Sequence, residues 1–278
     1  MIDFSIIIPS YKPDKYLYDC LKSVMAQSTS SHSYEVLLIL NGPKDPYFEE
    51  IKTFKLKHQF FALQLFYIPE ANVSTARNLG LNKSRGSYIL FVDDDDILSE
   101  NYLQAMNFEI SDDSVVFTNV MSLDNLQLKS GINPYFIEFK RKIGVSNLSL
   151  IDFKVHSATV WAKIFPKKML LGMHFEPKYK NGQDSIFMAL LSKRIRRIVI
   201  TDPGAIYYYR KRPNSASRKN KGIYYELSTT FKLFKGYIGI YLSDPLEYDF
   251  LFFLHREAAL VKRLLAKLKL ISPQNSRL

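Results

Sequence analysis

Short, wholly apolar runs alternate along the chain with segments whose apolar residues recur every three or four positions, a pattern of buried strands separated by helices. Residues 4–9 (FSIIIP) read as a first strand, stopped by proline and the polar turn that follows. From Asp14 onward, Leu17, Leu21, Val24 and Met25 share one helical face. Residues 34–40 form the second strand, broken by Asn41-Gly42-Pro43, and Tyr47, Ile51 and Phe54 mark the next helix. Residues 64–68 predict a third strand, 73–81 a short helix and 87–92 a fourth strand. Alternation at these intervals predicts βαβ units, right-handed crossovers and a mainly parallel sheet.

The pattern continues with a helix over 100–108 and one strand over 114–121. Residues 123–149 are polar, carry Lys140-Arg141-Lys142 and show little periodicity; they read equally as an ordered cover over a site or as a surface loop. A buried stretch is predicted at 159–165, a helix carrying Ile186, Phe187, Leu190 and Leu191 after Asp184, and short strands at 197–201 and 205–209. The tail from Gly222 predicts two helices, the second opened by Ser243-Asp244-Pro245 with proline at its first position.

One stretch breaks the apolar-polar rhythm. In residues 88–96 (YILFVDDDD) the fourth strand runs directly into Asp93, Asp94, Asp95 and Asp96. Adjacent ionised carboxylates repel one another unless solvated or met by a cation. In an extended chain Asp93 and Asp95 share one face, at the carboxyl end of a strand, where open α/β sheets bind ligands. Hard oxygen donors of this kind suit Mg2+ or Mn2+. The plainer alternative makes them turn residues, with Asp96 or Ser99 capping the helix near Glu100.

Composition narrows the partners. Of 278 residues, 47% are hydrophobic and 14% aromatic, which predicts a folded globular chain. A lone cysteine, Cys20, rules out an internal disulfide framework and fits a reducing compartment. No secretory signal and no membrane-length apolar run are visible, so a cytoplasmic location is expected. A net charge of +11 favours anionic partners: nucleotide phosphates, nucleic acid or an acidic membrane surface. The histidines and the one cysteine show no zinc spacing, and no helix-turn-helix or ribonucleoprotein pattern appears, which argues against nucleic acid. The last helix sets Leu254, Ala258, Val261, Leu265 and Leu268 on one stripe, with Arg256, Lys262, Arg263, Lys267 and Lys269 around it. Such a helix suits the anionic inner face of the cytoplasmic membrane; packing on the rest of the chain or in a homodimer is the alternative.

Four blocks now carry a resemblance: FSIIIPSYKPDKYLYDCLKSVMAQS at the start, NVSTARNLGLNKSRGSYILFVDDDD in the middle, FEPKYKNGQDSIF at 175–187 and YYYRKRPNSAS at 207–217. In order and together they resemble glycosyltransferase family 2, the inverting, nucleotide-sugar-dependent enzymes of the GT-A fold. A nucleotidyltransferase of related architecture would want a glycine-rich first loop, and Pro9-Ser10-Tyr11-Lys12 has no glycine.

The resemblance implies a Rossmann-like, mainly parallel sheet flanked by helices. Residues 1–218 would be the catalytic domain, binding the donor through residues 1–122 and facing the acceptor through residues 123–218, and 219–278 would be a helical extension. It implies that Pro9 and Tyr11 flank the nucleotide base, that Asn41, Arg77, Asp93 and Asp94 line the donor nucleotide, and that Asp95 with Asp93 holds Mn2+ or Mg2+. Asp184 aligns with the catalytic base, and Gln183, Arg210, Lys211 and Arg212 would contact the diphosphate or the acceptor. Two departures stand out: Leu40-Asn41 replaces a pair of acidic residues, and Gln183 replaces Glu before the base, leaving the proton transfer to Asp184 alone. The implied activity moves a hexosyl or N-acetylhexosaminyl group, with UDP as the expected nucleotide, onto a glycan or lipid-linked acceptor of a bacterial surface polymer. The alternatives are a nucleotide- or glycan-binding relative without transferase activity and, further off, a nucleic-acid-binding protein.

Overall fold

The computed structural model describes residues 2–27, 33–105, 110–123, 133–211 and 222–267. Four parallel strands, β1 (Phe4–Ser10), β2 (Tyr34–Asn41), β3 (Leu63–Ile68) and β4 (Tyr88–Phe91), alternate with helices α1 (Lys15–Met25), α2 (Tyr47–Lys57) and α3 (Val73–Lys83). These match the predicted elements to within a few residues. Later strands extend the same sheet: β6 (Ser114–Phe117), β8 (Lys163–Pro166) and β9 (Arg197–Ile200), in the order β3-β2-β1-β4-β8-β6-β9. β8 runs antiparallel to both its neighbours, so the sheet is mixed but mainly parallel.

The apolar runs are continuous because both faces of the sheet are covered. Alternate residues serve opposite faces: Ile7, Leu37, Ile39, Ile89 and Phe91 belong to one core cluster, and Ile6, Ile8, Val36, Leu38 and Leu90 to the other. Parallel pairing, with Ser10 opposite Leu40 and Ile7 opposite Phe91, delivers Tyr11, Asn41 and Asp93 to the same edge of the sheet.

Three expected elements differ. The strand over 114–121 is split at Thr118, whose amide pairs with the Ala162 carbonyl; the second half becomes β7 (Asn119–Leu123) and joins β5 (Ile97–Leu98) and β10 (Ile206–Arg210) in a small second sheet. The expected helix over 100–108 is a set of turns as far as residue 105, and 106–109 lie outside the described residues. Its cause is a side chain: Gln27 at the end of α1 accepts the Leu103 amide (3.0 Å) and donates to the Ser99 carbonyl (2.9 Å). The second tail helix starts not at Pro245 but at Phe250, where the Asp249 carboxylate caps the Phe252 amide at 3.1 Å.

The polar segment after β7 contains a helix, α4 (Pro134–Lys140), with proline at its first turn and Asn133 as its cap. α5 (Gln183–Leu191) follows, then a hairpin of long helices, α6 (Ile223–Ser243) and α7 (Phe250–Lys267). Leu233, Tyr237, Phe252, Phe253 and Leu260 of that hairpin join the core cluster containing Phe91 and Phe187. Among the described residues no helix is long and apolar enough to cross a membrane.

Candidate active site

Beyond β4 the chain does not stay extended. The Asp96 amide closes back on the Asp93 carbonyl (3.1 Å), so the four carboxylates occupy a tight turn and fan out in different directions. Asp94 turns toward β1 and accepts the Ser10 hydroxyl at 2.6 Å.

Asp96 is fully buried and neither caps a helix nor faces the cleft. It accepts the Tyr207 hydroxyl (2.7 Å) and the Arg210 amide (2.7 Å), both from β10. Tyr207 in turn accepts the Asp93 amide at 3.1 Å. Burial, with Asp95 and Asp93 close by, pushes the Asp96 carboxyl well above the usual carboxylate range. Arg210 completes this brace: its Nε donates to the Asp95 carbonyl (2.8 Å), its guanidinium lies 4.4 Å over the Tyr16 ring and it meets Asp19 at 3.3 Å. Only 3% of Arg210 is exposed, so the contact to a diphosphate expected of its side chain does not suit this arrangement. Lys211 follows β10, its amide on the Leu123 carbonyl. Arg212 lies outside the described residues.

The cleft side is built by α3. Asn72 caps that helix, and Arg77, 3% exposed, projects between two carboxylates that are far apart in sequence. Its guanidinium donates to Asp93 at 3.0 Å and to Asp184 at 2.5 Å and rests 5.3 Å from the Phe175 ring centre. Arg77 therefore joins the strand-end acid to the candidate base. Its Nε, though buried, has no hydrogen-bond partner among the described residues. Burial pushes Asp93 up to about 6 against the pull of Arg77, with Asp184 and Asp95 adding like charge.

Asp184 is placed by two devices. The neighbour of Arg77, Asn78, clamps the backbone of Phe175 through both its amide groups (2.8 and 2.7 Å), fixing the segment that leads to α5. Gly182 then opens α5 in the left-handed region (φ 75°), where a Cβ would stand 2.7 Å from Leu233. The cap of α5 is thus Gly182, and Asp184 occupies the first turn with 17% of its side chain exposed. Gln183 beside it keeps a buried Oε1 without a partner among the described residues.

The wall of the cleft at β1 and β2 carries the remaining expected donor residues. Pro9 lies within the buried run of β1, which ends at Ser10, and Tyr11 beyond it is 51% exposed, its ring where a Cβ on Gly42 would fall at 2.7 Å. Asn41 is buried and donates its side-chain amide to the Ser10 carbonyl at 2.8 Å, so it joins two strand ends.

Sequence reasoning did not single out the aromatic cluster around Trp161 or the buried cation Lys163. Trp161 stacks on Tyr207 (5.2 Å) and on Tyr209 (5.4 Å), with Tyr135 at 4.8 Å. Lys163, 1% exposed, donates to Thr159 (3.1 Å) and lies 4.5 Å from the Phe117 ring centre. Burial depresses it to about 7, opposed by the charges of Asp184 and Glu138. A lysine inside the otherwise apolar 159–165 stretch was the available signal.

Among the described residues no three His, Cys, Asp or Glu side chains converge as a ready-made metal cage. Asp93 and Asp95 nonetheless offer hard oxygens within three residues of chain, which fits Mg2+ or Mn2+, ions that commonly take one or two protein carboxylates and complete their shell with water and phosphate.

With this geometry in view, the comparisons with known proteins fall into place. The model of glycosyl transferase family 2 matches residues 5–167, and the chain belongs to that family. Its relatives include the minor teichoic acid biosynthesis protein GgaA of Bacillus subtilis, 27% identical over 88% of this chain and 55% of GgaA. Another is the poly(ribitol-phosphate) beta-N-acetylglucosaminyltransferase TarS of Staphylococcus aureus, 24% identical over 76% of this chain and 36% of TarS. The chain thus spans about half of the first relative and a third of the second. In three dimensions TarS 1–349 in complex with UDP-GlcNAc superposes with a TM-score of 0.70 at 19% identity, over 96% of this chain and 72% of that one. The mannosyltransferase PcManGT of Pyrobaculum calidifontis, in complex with GDP-Man and Mn2+, follows at 0.59 and 14%, over 97% and 75%. The fold is the GT-A type that the sequence resemblance implied.

Proposed function

We propose that the protein is an inverting glycosyltransferase that moves a sugar from a nucleotide-diphosphate sugar, with UDP as the nucleotide, to a hydroxyl of a glycan or lipid-linked acceptor of a bacterial surface polymer. The observation that carries this is Arg77 holding Asp93 and Asp184 in one cleft. It sets the acid at the end of β4 beside a carboxylate from the opposite wall, where donor and acceptor must meet. The names of GgaA and TarS support the polymer class, and UDP-GlcNAc in TarS supports the donor class.

In this reading Tyr11 and the strand ends at Pro9 and Asn41 receive the base, and Asp93 and Asp94 line the path of the ribose and diphosphate. Asp93 and Asp95 would hold a divalent ion, which when bound neutralises charge developing on the leaving diphosphate; PcManGT with Mn2+ supports this. An acceptor hydroxyl is a poor nucleophile, and Asp184 takes its proton as it attacks the anomeric carbon. Arg77 orients Asp184. Gln183 offers its unpartnered Oε1 to an acceptor hydroxyl. One base and no covalent intermediate invert the anomeric centre. Residues 1–218 serve as the catalytic unit and the helical hairpin as its extension, working at the cytoplasmic side of the membrane.

Thermal unfolding with UDP, GDP, CDP and dTDP, each with and without Mn2+, tests the donor site on the wild type and on Asp95→Asn. A ligand bound only by the folded state raises Tm. A shift requiring one nucleotide and the metal, lost in Asp95→Asn, supports the reading. No shift with any nucleotide overturns it, and glycan binding without nucleotide would then point to a silent binding relative.

A further inference from the structure

The α6/α7 hairpin turns one side to the core and leaves an apolar face on the other. On α6, Leu227, Phe231, Phe234, Ile238 and Leu242 are all exposed, Phe231 at 58% and Leu242 at 64%. At about 100° per residue they fall within roughly 80° of one another. Leu251, Leu254 and Val261 of α7 form an equally narrow exposed stripe. The helices run antiparallel: Tyr241 meets Phe250 and Phe253 at one end (5.7 and 5.6 Å), and Lys267 pairs with Glu226 at the other. Each stripe lies on the same rotational side of this shared seam, so antiparallel pairing brings both onto one face. At about 1.5 Å per residue the stripe from Leu227 to Leu242 is roughly 23 Å long, and a contiguous apolar face rimmed by polar residues marks an interaction surface.

Charge identifies what covers it. Four acids of the hairpin are paired or capping, Glu226 with Lys267, Asp244 with Lys193, Glu247 with Arg196 and Asp249 as a helix cap, while Glu257 has both oxygens buried away from the surface and without a partner among the described residues. Lys232 and Lys235 flank the stripe of α6, and His255 and Lys262 that of α7. Arg256, expected among the exposed cations, is instead buried against the Lys154 carbonyl and the Ser157 hydroxyl. An apolar face rimmed by lysines complements an anionic lipid surface. A second copy on the same face would set like charges against each other.

We propose that this face seats the protein on an anionic membrane, with its α6 end delivering the acceptor. That end adjoins the site: Tyr225 accepts the Asn181 amide at 2.7 Å, two residues before Gln183, and Leu233 packs on Gly182. A hydroxyl carried by a lipid anchored beside α6 therefore has a short path to Asp184. The docking rests on the hairpin alone, and the acceptor half rests on the transferase reading.

The test is co-sedimentation of the full chain with equimolar vesicles of phosphatidylglycerol and phosphatidylcholine, against phosphatidylcholine alone, at low and high salt. Phe231→Ser/Leu251→Ser and Lys235→Glu/Lys262→Glu change exposed residues only, and Tm verifies folding. Binding to the anionic vesicles, weakened by salt and about tenfold or more in either double variant, is the expected result. No binding to anionic vesicles, equal binding by the variants, or a solution dimer abolished by Phe231→Ser/Leu251→Ser overturns the proposal. The nucleotide-dependent Tm shift, read on the same samples, separates the two ideas: vesicle binding with no nucleotide shift keeps the docking face and removes the acceptor role.

Discussion

On the strand side of the acidic turn, Asp96 faces two donors from β10, and Arg210 lays its guanidinium against the turn's backbone, with Tyr16 and Asp19 closing the other side. On the cleft side a second arginine, equally buried, stands between Asp93 and Asp184, which leaves one cation facing two carboxylates with Asp95 close by. The chemistry is the same and the balance is not. Arg210 and Asp96 are satisfied by the fold and hold the turn rigid. Around Arg77 the fold leaves surplus negative charge, an unpartnered Nε and, at Gln183, an unpartnered Oε1. Buried polar atoms without partners occur elsewhere among the described residues too, but these two sit on either side of Asp184, where substrates would supply the missing contacts.

Changes to the cleft-side carboxylates should therefore alter rate more than stability, changes on the strand side the reverse, and removal of Arg77, the cation the two carboxylates share, should cost stability as well. The largest effect is expected for Asp184→Asn, which removes the proton acceptor and lowers transfer about 10²–10⁴-fold. Stability changes little, because Arg77 then faces one carboxylate instead of two. Initial rates of UDP release with urea unfolding measure both, and a rate within threefold of wild type rules out Asp184 as the base. Arg77→Met reverses the imbalance, leaving two carboxylates with no cation, and costs about 3 kcal/mol, near the lower end for breaking a buried pair. Adding Asp184→Asn to that variant should recover some of the loss. Strictly additive effects would mean that the two side chains do not interact. Asp96→Asn retains one acceptor for two donors and is expected to cost about 1–3 kcal/mol with transfer per folded molecule preserved; a selective loss of rate would place Asp96 in the cleft after all.

Much of the cleft side was legible in the sequence. A strand buried on both faces must be continuously apolar, so Ile89 to Val92 located the turn, and parallel pairing made the shared edge with Tyr11 and Asn41 predictable. Asp184 was legible only through its resemblance to a family block. The strand side was not, because its bonds join residues over a hundred positions apart, as from Asp96 to Tyr207. A solitary Asp after a strand reads as a cap, and nothing local shows that it will be sealed under β10. Arg77 was placed at the site, but its bridge to a residue 107 positions away depends on Asn78 and Gly182 folding α5 back onto α3. The missed helix over 100–108 has the same origin, a tertiary clamp from Gln27 overriding local periodicity.

Lys163 offers the subtlest test, since it is buried over the Phe117 ring and interacts with Asp184 through charge. Burial depresses it from the ordinary 10.5 to about 7. Between those values the native chain has given up a proton that the unfolded chain still holds, so the unfolded state binds more protons and stability rises with pH, by up to about 1.4 kcal/mol per pH unit. Below about pH 7 both states are protonated and the full cost of burying the charge is felt. Lys163→Met has no proton to lose and fills the same apolar space over Phe117. The variant should gain most over wild type below pH 7, lose the alkaline rise, and converge with wild type toward pH 10, where Lys163 is neutral in the native chain. Urea midpoints of both proteins across this range decide the matter. Parallel curves would show that Lys163 keeps its ordinary affinity, and that the cleft's surplus negative charge is answered by a permanent cation.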